Sequence, residues 1–213
     1  MIASFTFNRQ ASSLHAYQSF TPSTWLLESE EVKPGGFMPV FIEEDGRVRV
    51  QYGRWGMPAQ GVFAGSDRLV APARNIFQRP SFGEAVRLRR CLVPVDSIQL
   101  REMITVNSPE HELHHQDDEL FCLAGIYAWR DGSWGEEALG IALVTAPSPL
   151  HWRDYSSTMP LVLSPQAAKS WVNPETSLNV IANLLQPAPA SMLRVRSISS
   201  GESRPAILHE QAA

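Results

Sequence analysis

Residues 80–96 constrain the fold of this chain more than any other segment, because they predict a capped helix that runs directly into a buried strand. The segment reads PSFGEAVRLRRCLVPVD. Ser81 and Glu84 have the spacing of a capping box, in which each side chain satisfies a backbone N–H at a helix start. Apolar residues then recur at helical spacing through residues 82–88, and residues 91–94 read as an apolar strand that the proline ends.

The rest of the chain alternates short strands with short helices. Residues 37–43 and 47–52 flank Asp45-Gly46, which is a turn pair typical of β-hairpins, and residues 121–129 and 138–145 flank Asp131-Gly132 in the same way. The other predicted strands are residues 4–7, 159–163 and 193–198, and the other predicted helices are residues 12–20, 164–171 and 173–187. This order favours one α+β domain over residues 1–213, with a loose tail from about residue 200.

Charge and cysteine content narrow the class of protein. The net charge is −4, so the whole-protein charge does not indicate nucleic-acid binding. Between Arg68 and Arg90, however, there are six arginines and one acid, and this cluster is either a solvated face or an anion-binding face. Cys91 and Cys122 both lie in apolar runs, which favours buried free thiols and a reducing cytoplasm. Neither a secretory signal nor an apolar run of membrane-spanning length is recognisable.

Histidines and tryptophans each suggest a functional site, and each also has a purely structural interpretation. Residues 111–115 read HELHH and satisfy the H-E-x-x-H pattern, which binds zinc only when both histidines lie on one face of a helix. The surrounding run is acidic and poorly amphipathic, so a polar loop is favoured and no metal is predicted. Trp55 is either a base-stacking platform or a core residue, whereas Trp129 and Trp171 sit in apolar patterns that predict the core.

Several motifs, in a common order, resemble those of the SOS-response-associated peptidase (SRAP) family. The matching stretches are RWGMP from Arg54, AR at Ala73, residues 80–96, AGIYAW from Ala124 and MPLVL from Met159. They extend over most of the chain and are clearest in residues 54–171. The resemblance implies an α+β fold with an antiparallel-rich, barrel-like sheet core and peripheral helices.

The resemblance also implies an active site whose residues are replaced here. In the family, a cysteine after the initiator methionine captures the aldehyde of an abasic site in single-stranded DNA, and a glutamate and a histidine support proton transfer. These catalytic positions fall on Ile2, Leu100 and Ser156. A shifted alignment offers Glu102 or His151 instead, but neither restores the thiol. The candidates for DNA binding are Arg54, Trp55, Arg74, Arg89 and Arg90. The first three, with Arg89 or Arg90, should line one concave face.

Three functions remain open on the sequence. The first is a diverged SRAP-like protein, without abasic-site crosslinking, that retains single-stranded DNA binding in a DNA-damage-response or mobile-element context; the arginine cluster favours it. The second is a binding or regulatory protein that has left DNA behind, favoured by Glu31 and Pro72 at positions where the family has asparagine. The third is an enzyme with relocated, metal-dependent chemistry, which only the histidine motif supports. No cofactor is predicted, and the replaced catalytic positions argue against an enzyme.

Overall fold

The computed structural model describes residues 2–7, 17, 30–59, 67–101, 110–130, 138–187 and 189–198. Within these ranges the chain forms fifteen strands and three α-helices. The strands are β1 (Ile2–Phe7), β2 (Glu30–Val32), β3 (Phe37–Glu44), β4 (Arg47–Trp55), β5 (Met57–Pro58), β6 (Asp67–Arg68), β7 (Val70–Pro72), β8 (Arg90–Val95), β9 (Ser97–Arg101), β10 (Glu110–His115), β11 (Phe121–Arg130), β12 (Ala138–Pro147), β13 (Thr158–Pro160), β14 (Val162–Leu163) and β15 (Leu193–Ile198). The helices are α1 (Pro80–Leu88), α2 (Pro165–Val172) and α3 (Leu178–Leu184).

Five strands close into a ring in the order β12, β4, β3, β8 and β11, because β11 pairs back with β12. The strands are antiparallel to their neighbours except at β4 and β12, which run parallel. Both predicted hairpins are present, and each contributes two strands to this ring. The ring is therefore antiparallel-rich, as the resemblance implied.

A second sheet has the strand order β15, β10, β9, β1, β2 and is antiparallel throughout. Its inner face packs over one end of the ring, where the ring of Phe5 lies 4.9 Å from that of Trp55. Side chains alternate along each strand, so neighbouring residues enter different cores. Val40 joins the cluster inside the ring and under this sheet, whereas Phe41 joins the cluster outside the ring.

The outer cluster is covered by the helices. α2 begins with Ser164 as its N-cap, whose hydroxyl accepts a hydrogen bond from the Ala167 N–H. Near its end, the Trp171 indole donates to two backbone carbonyls, Cys91 O at 3.1 Å and Gly125 O at 3.2 Å. This shared donor fixes α2 against β8 and β11. None of the helices in the described ranges is long and apolar enough to cross a membrane.

Several element boundaries differ from the sequence predictions for local reasons. The predicted capping box at Ser81 and Glu84 is wrong, because α1 already begins at Pro80, which needs no N–H partner at a first helical position. Pro94 does not end β8 but lies within it, opposite Cys122. α3 begins at Leu178 rather than at the predicted position 173, because the Asn173 side chain accepts from the Glu175 N–H and holds a turn there.

Other predictions about single elements and residues were partly confirmed and partly wrong. Residues 111–115 belong to strand β10 rather than to a polar loop. Trp171 is buried as predicted, but the core prediction for Trp129 is wrong, because 47% of its surface is exposed. The predicted strand at 159–163 is divided into β13 and β14, which pair with different strands. The helix predicted at 12–20, apart from Tyr17, and the C-terminal tail lie outside the described residues.

Candidate functional site

Two of the three positions on which the resemblance places the family's catalytic residues are direct neighbours in the second sheet. Ile2 in β1 is the register partner of Leu100 in β9, next to an irregularity in the pairing between Ile2 and Ser4. Both side chains are buried in the cluster inside the ring. The place where the resemblance implies a thiol beside a carboxylate is therefore an apolar contact.

The third position lies close to the same place. His111 in β10 is also a register partner of Leu100, and its ring meets the Tyr155 ring edge-on at 4.7 Å. Tyr155 directly precedes Ser156, which is buried and donates its hydroxyl to Thr158 O at 2.7 Å. Ile2 and His111 therefore both pair with Leu100, and Ser156 directly follows Tyr155, whose ring contacts His111.

His111 is a polar residue at this place, although its sequence pattern suggested only a zinc motif or a polar loop. Its Nδ1 atom is buried and has no hydrogen-bond partner among the described residues. The available signal was the alternation in EHELHH, which places His111 on the same face as the buried Leu113. That signal is weak because polar residues occupy both faces of the strand.

The strand conformation of residues 110–115 also excludes the zinc-protease arrangement. Along a strand His111 and His115 are about 13 Å apart, too far to share one metal ion. Glu112 points to the opposite face, where its carboxylate accepts from the Ser97 hydroxyl at 2.5 Å and lies 3.0 Å from His114 Nε2. Within the part of the chain that the structure describes, no three His, Cys, Asp or Glu side chains are grouped to hold a metal.

Trp55 is a core residue, so its interpretation as a base-stacking platform is wrong. Only 1% of its surface is exposed. Its indole N–H donates to Leu69 O at 2.9 Å, and its ring packs against Phe5. No face of the indole is left for a base.

Arg90 is likewise buried, with 4% of its surface exposed, and is not available to a phosphate. Its guanidinium donates to Val86 O at 3.0 Å in α1 and to Trp171 O at 2.6 Å in α2. Burial lowers the pKa of this guanidinium, and the charge of Glu43 opposes that effect. Arg90 is therefore a structural residue, which corrects its prediction as a DNA contact.

Arg89 is also held by the fold, although less completely. Its guanidinium forms an ion pair with Glu84 at 2.8 Å and donates from Nε to Tyr127 O at 3.2 Å. The hydrogen bond that Arg89 Nη1 donates to the Glu84 carboxylate lowers the pKa of that carboxyl. Because Trp55 and Arg90 are buried, the predicted set does not line one exposed face.

Arg54 and Arg74 remain as surface candidates. Arg54 donates from Nε to Gly35 O at 3.0 Å and lies 3.6 Å from the Asp67 carboxylate, while part of its side chain stays exposed. Arg74 is exposed in a 3-10 turn directly after β7. β4 and β7 pair with successive parts of β12 along the same side of that strand. Arg54 at the end of β4 and Arg74 just after β7 therefore both lie along this side of β12.

Comparison with known proteins agrees with this architecture. The family model described as SOS response associated peptidase (SRAP) matches residues 3–202. The abasic site processing protein YoqW of Bacillus subtilis (strain 168) is 24% identical over 186 residues, covering 85% of this chain and 83% of that protein, and YoqW of Bacillus phage SPbeta matches equally. A crystal structure of a protein from Bacteroides thetaiotaomicron superposes with a TM-score of 0.76 at 24% identity over 92% of each chain.

Proposed function

Because the chain belongs to the SOS response associated peptidase family, we propose that it is a diverged member that binds single-stranded DNA without forming a covalent adduct. The relatives described above are abasic site processing proteins, one of them from a phage. The context of the proposal is therefore damaged DNA in a bacterium or in a mobile element. Its active site is the part that has changed.

The observation that carries the proposal is the apolar contact between Ile2 and Leu100. Capture of an aldehyde by a thiol and an amine requires a nucleophile and a nearby group that transfers protons. Isoleucine and leucine supply neither, and both are buried. At the third position the Ser156 hydroxyl is engaged with Thr158 O.

The case for DNA binding rests on Arg54 and Arg74. Both lie along one edge of β12, and both carry a permanent positive charge that can neutralise a phosphate. Binding by phosphate neutralisation releases counterions, so the affinity must fall steeply as the salt concentration rises.

The loss of covalent chemistry is tested with single-stranded DNA that contains one abasic site. After incubation, a denaturing gel should show no slow-migrating, heat-stable band. Ile2→Cys alone should give weak crosslinking at most, because Leu100 and Ser156 still lack proton-transfer groups. An adduct of the unmodified protein that disappears when its N-terminus is blocked would overturn this part of the proposal.

DNA binding is tested by fluorescence anisotropy with a labelled single strand and the matching duplex, from about 50 to 200 mM salt. Arg74→Ala should weaken binding and reduce the salt slope by about one. Arg47→Ala is the matched control, because this exposed arginine lies at the other end of β4, beside the hairpin turn. Absence of single-strand binding at about 50 mM salt would overturn the proposal.

That outcome would favour a second candidate, a regulatory protein on the same fold whose partner is not DNA. The observation that favours it is the fate of the predicted DNA contacts. Trp55 and Arg90 are buried, and Arg89 is engaged with Glu84 and a backbone carbonyl. These three side chains serve the fold and not a ligand surface.

A further inference from the structure

Two large aromatic side chains are exposed on the neighbouring strands β3 and β4. Phe37 begins β3 and has 61% of its surface exposed, and Tyr52 in β4 has 57% exposed. Isolated exposed apolar residues need no explanation, but aromatic rings that share one exposed patch mark interaction sites. The two rings can act together only if they lie on the same face of the sheet.

The strand register places them together. Phe37 is the register partner of Arg54, and Pro39 is the partner of Tyr52. Direct partners and every second residue along a strand point to the same side of a sheet. Phe37, Arg54 and Tyr52 thus share the outer face of the ring, with about 5 Å between directly opposed Cβ atoms and about 7–8 Å along the diagonal from Phe37 to Tyr52.

The Arg54 guanidinium lies on the side of its register pair away from Tyr52, where backbone and the Asp67 carboxylate at 3.6 Å hold it. Arg54 Nε donates to Gly35 O, and a Cβ at Gly35 would lie 3.3 Å from Arg54 Nη2. Gly35 has φ +86°, a conformation that favours glycine. The chain therefore keeps an arginine fixed opposite the exposed ring of Phe37, at a position where a side chain at Gly35 would crowd it.

We propose that Phe37 and Tyr52 form a two-ring platform on which neighbouring bases of a single-stranded nucleic acid stack, while Arg54 meets a phosphate on the Phe37 side of the platform. This inference rests on the proposed function and adds to it two residues that lie outside the replaced active site. Aromatic rings stack on any base, because every base has a π-face, and an arginine beside them supplies the charge complement. Bases in a duplex are already stacked and paired, so the platform selects single strands.

Trp129 provides a matched control on the opposite face. It is an exposed aromatic residue whose register partner is Leu139, which in turn pairs with Gly53. Gly53 neighbours Arg54 along β4, so this row points to the other side of the sheet. If removing any exposed ring weakened binding, Trp129→Ala would weaken it as well. If binding depends on the platform, only the changes at Phe37 and Tyr52 weaken it.

The experiment measures anisotropy of a labelled thymidine oligomer against the full chain and against Phe37→Ala, Tyr52→Ala, Phe37→Tyr, Tyr52→Phe and Trp129→Ala. Each alanine variant at the platform should weaken binding between about 5-fold and 150-fold, with an unchanged salt slope. Phe37→Tyr and Tyr52→Phe should bind like the unmodified protein, because the rings are kept. Trp129→Ala should bind normally. Thermal melting of each variant verifies that it is folded at the temperature of the titration.

A second probe separates stacking from phosphate contact. This probe is an oligomer of the same length that carries the sugar–phosphate backbone without bases. The unmodified protein should bind it about as weakly as the double variant Phe37→Ala/Tyr52→Ala binds the thymidine oligomer. If the unmodified protein binds no single strand at all, the proposed function fails. If it binds, but the two platform alanine variants bind equally well or Trp129→Ala weakens binding as much, this inference is overturned while the proposed function stands.

Discussion

Arg90 offers the sharpest test of how this fold is held together, because one guanidinium closes the ends of two helices. It donates to Val86 O and Arg87 O at the end of α1, and to Trp171 O and Asn173 O at the end of α2. The last carbonyls of a helix have no partner within the helix, and the C-terminal end carries a partial negative charge. A buried cation that donates to both ends satisfies them together.

Arg90→Ala removes that cation and leaves buried carbonyls without partners. Hydrogen bonds to charged groups contribute about 1.5–3 kcal/mol each, and their effects are not additive. We expect a loss of about 3–5 kcal/mol in the free energy of unfolding. For a chain of this size each kcal/mol lowers the melting temperature by about 2–4 °C, so the midpoint should fall by roughly 6–20 °C. Arg90→Lys should lose much of the same stability, because a lysine lacks the planar fork that reaches both helices.

The assay is differential scanning calorimetry of Arg90→Ala, Arg90→Lys and Arg79→Ala. Arg79 is the matched control: it is exposed at the other end of α1, and in the described part of the chain its side chain makes no capping hydrogen bond. Arg79→Ala should melt within about 2 °C of the unmodified protein, as expected for a surface change. If Arg90→Ala melts in that same range, the argument that this residue joins the two helices is refuted.

Three further predictions follow from the packing of the core. Trp55→Ala should lower the free energy of unfolding by about 3–5 kcal/mol in urea titration, and unchanged stability would contradict its assignment to the core. Gly125→Ala should cost about 1–3 kcal/mol, because the new Cβ would lie 2.7 Å from Cys91 Sγ. Adding Cys91→Ala should recover part of that loss, and a double variant no more stable than Gly125→Ala would argue against this clash. Burial raises the pKa of the Cys91 and Cys122 thiols, so a thiol reagent should label neither at neutral pH until urea unfolds the chain; rapid labelling of the native protein would contradict their burial.

The hairpins could be predicted from sequence because their chemistry is local. Asp45 and Gly46 both adopt positive φ angles, +52° and +76°, which is the backbone conformation that the tight turn between β3 and β4 requires. The buried thiols and the strand at residues 193–198 could also be predicted, because each depends on an apolar pattern within a few residues. The overall α+β class followed from the ordered motifs of the family, which carry information about contacts distant in the chain.

The sequence did not predict which side chains of β4 are buried, and this caused the wrong interpretation of Trp55. Arg49 and Trp55 point to the same side of the strand, one exposed and the other buried. The difference arises because β12 pairs with β4 only from Gly53 to Trp55, so the same side is solvent at one end and the ring interior at the other. Period-2 alternation cannot report where a neighbouring strand begins, and the same limit hid the exposure of Tyr52.

Arg90 and His111 show a second limit, in which a polar residue owes its position to a distant element. The role of Arg90 exists only because the ends of α1 and α2 meet above β8. The strand around His111 has polar residues on both faces and gains its structure from pairing with β9 and β15 on either side. Tertiary pairing overrides weak local propensity in such strands.

The apolar contact between Ile2 and Leu100 predicts that no single substitution there supplies the chemistry proposed to be absent. A carboxylate in place of Leu100 would be buried in an apolar cluster, which raises its pKa and disfavours the charged form needed beside a nucleophile. The nearest compensation is His111, a register partner of Leu100, whose imidazole could pair with such a carboxylate. A cysteine at position 2 without that pair gains a thiol but no proton acceptor, and a glutamate at position 100 without the thiol costs stability and gains no reaction. On the proposed function, no single substitution at these two positions restores both a nucleophile and a proton-transfer group.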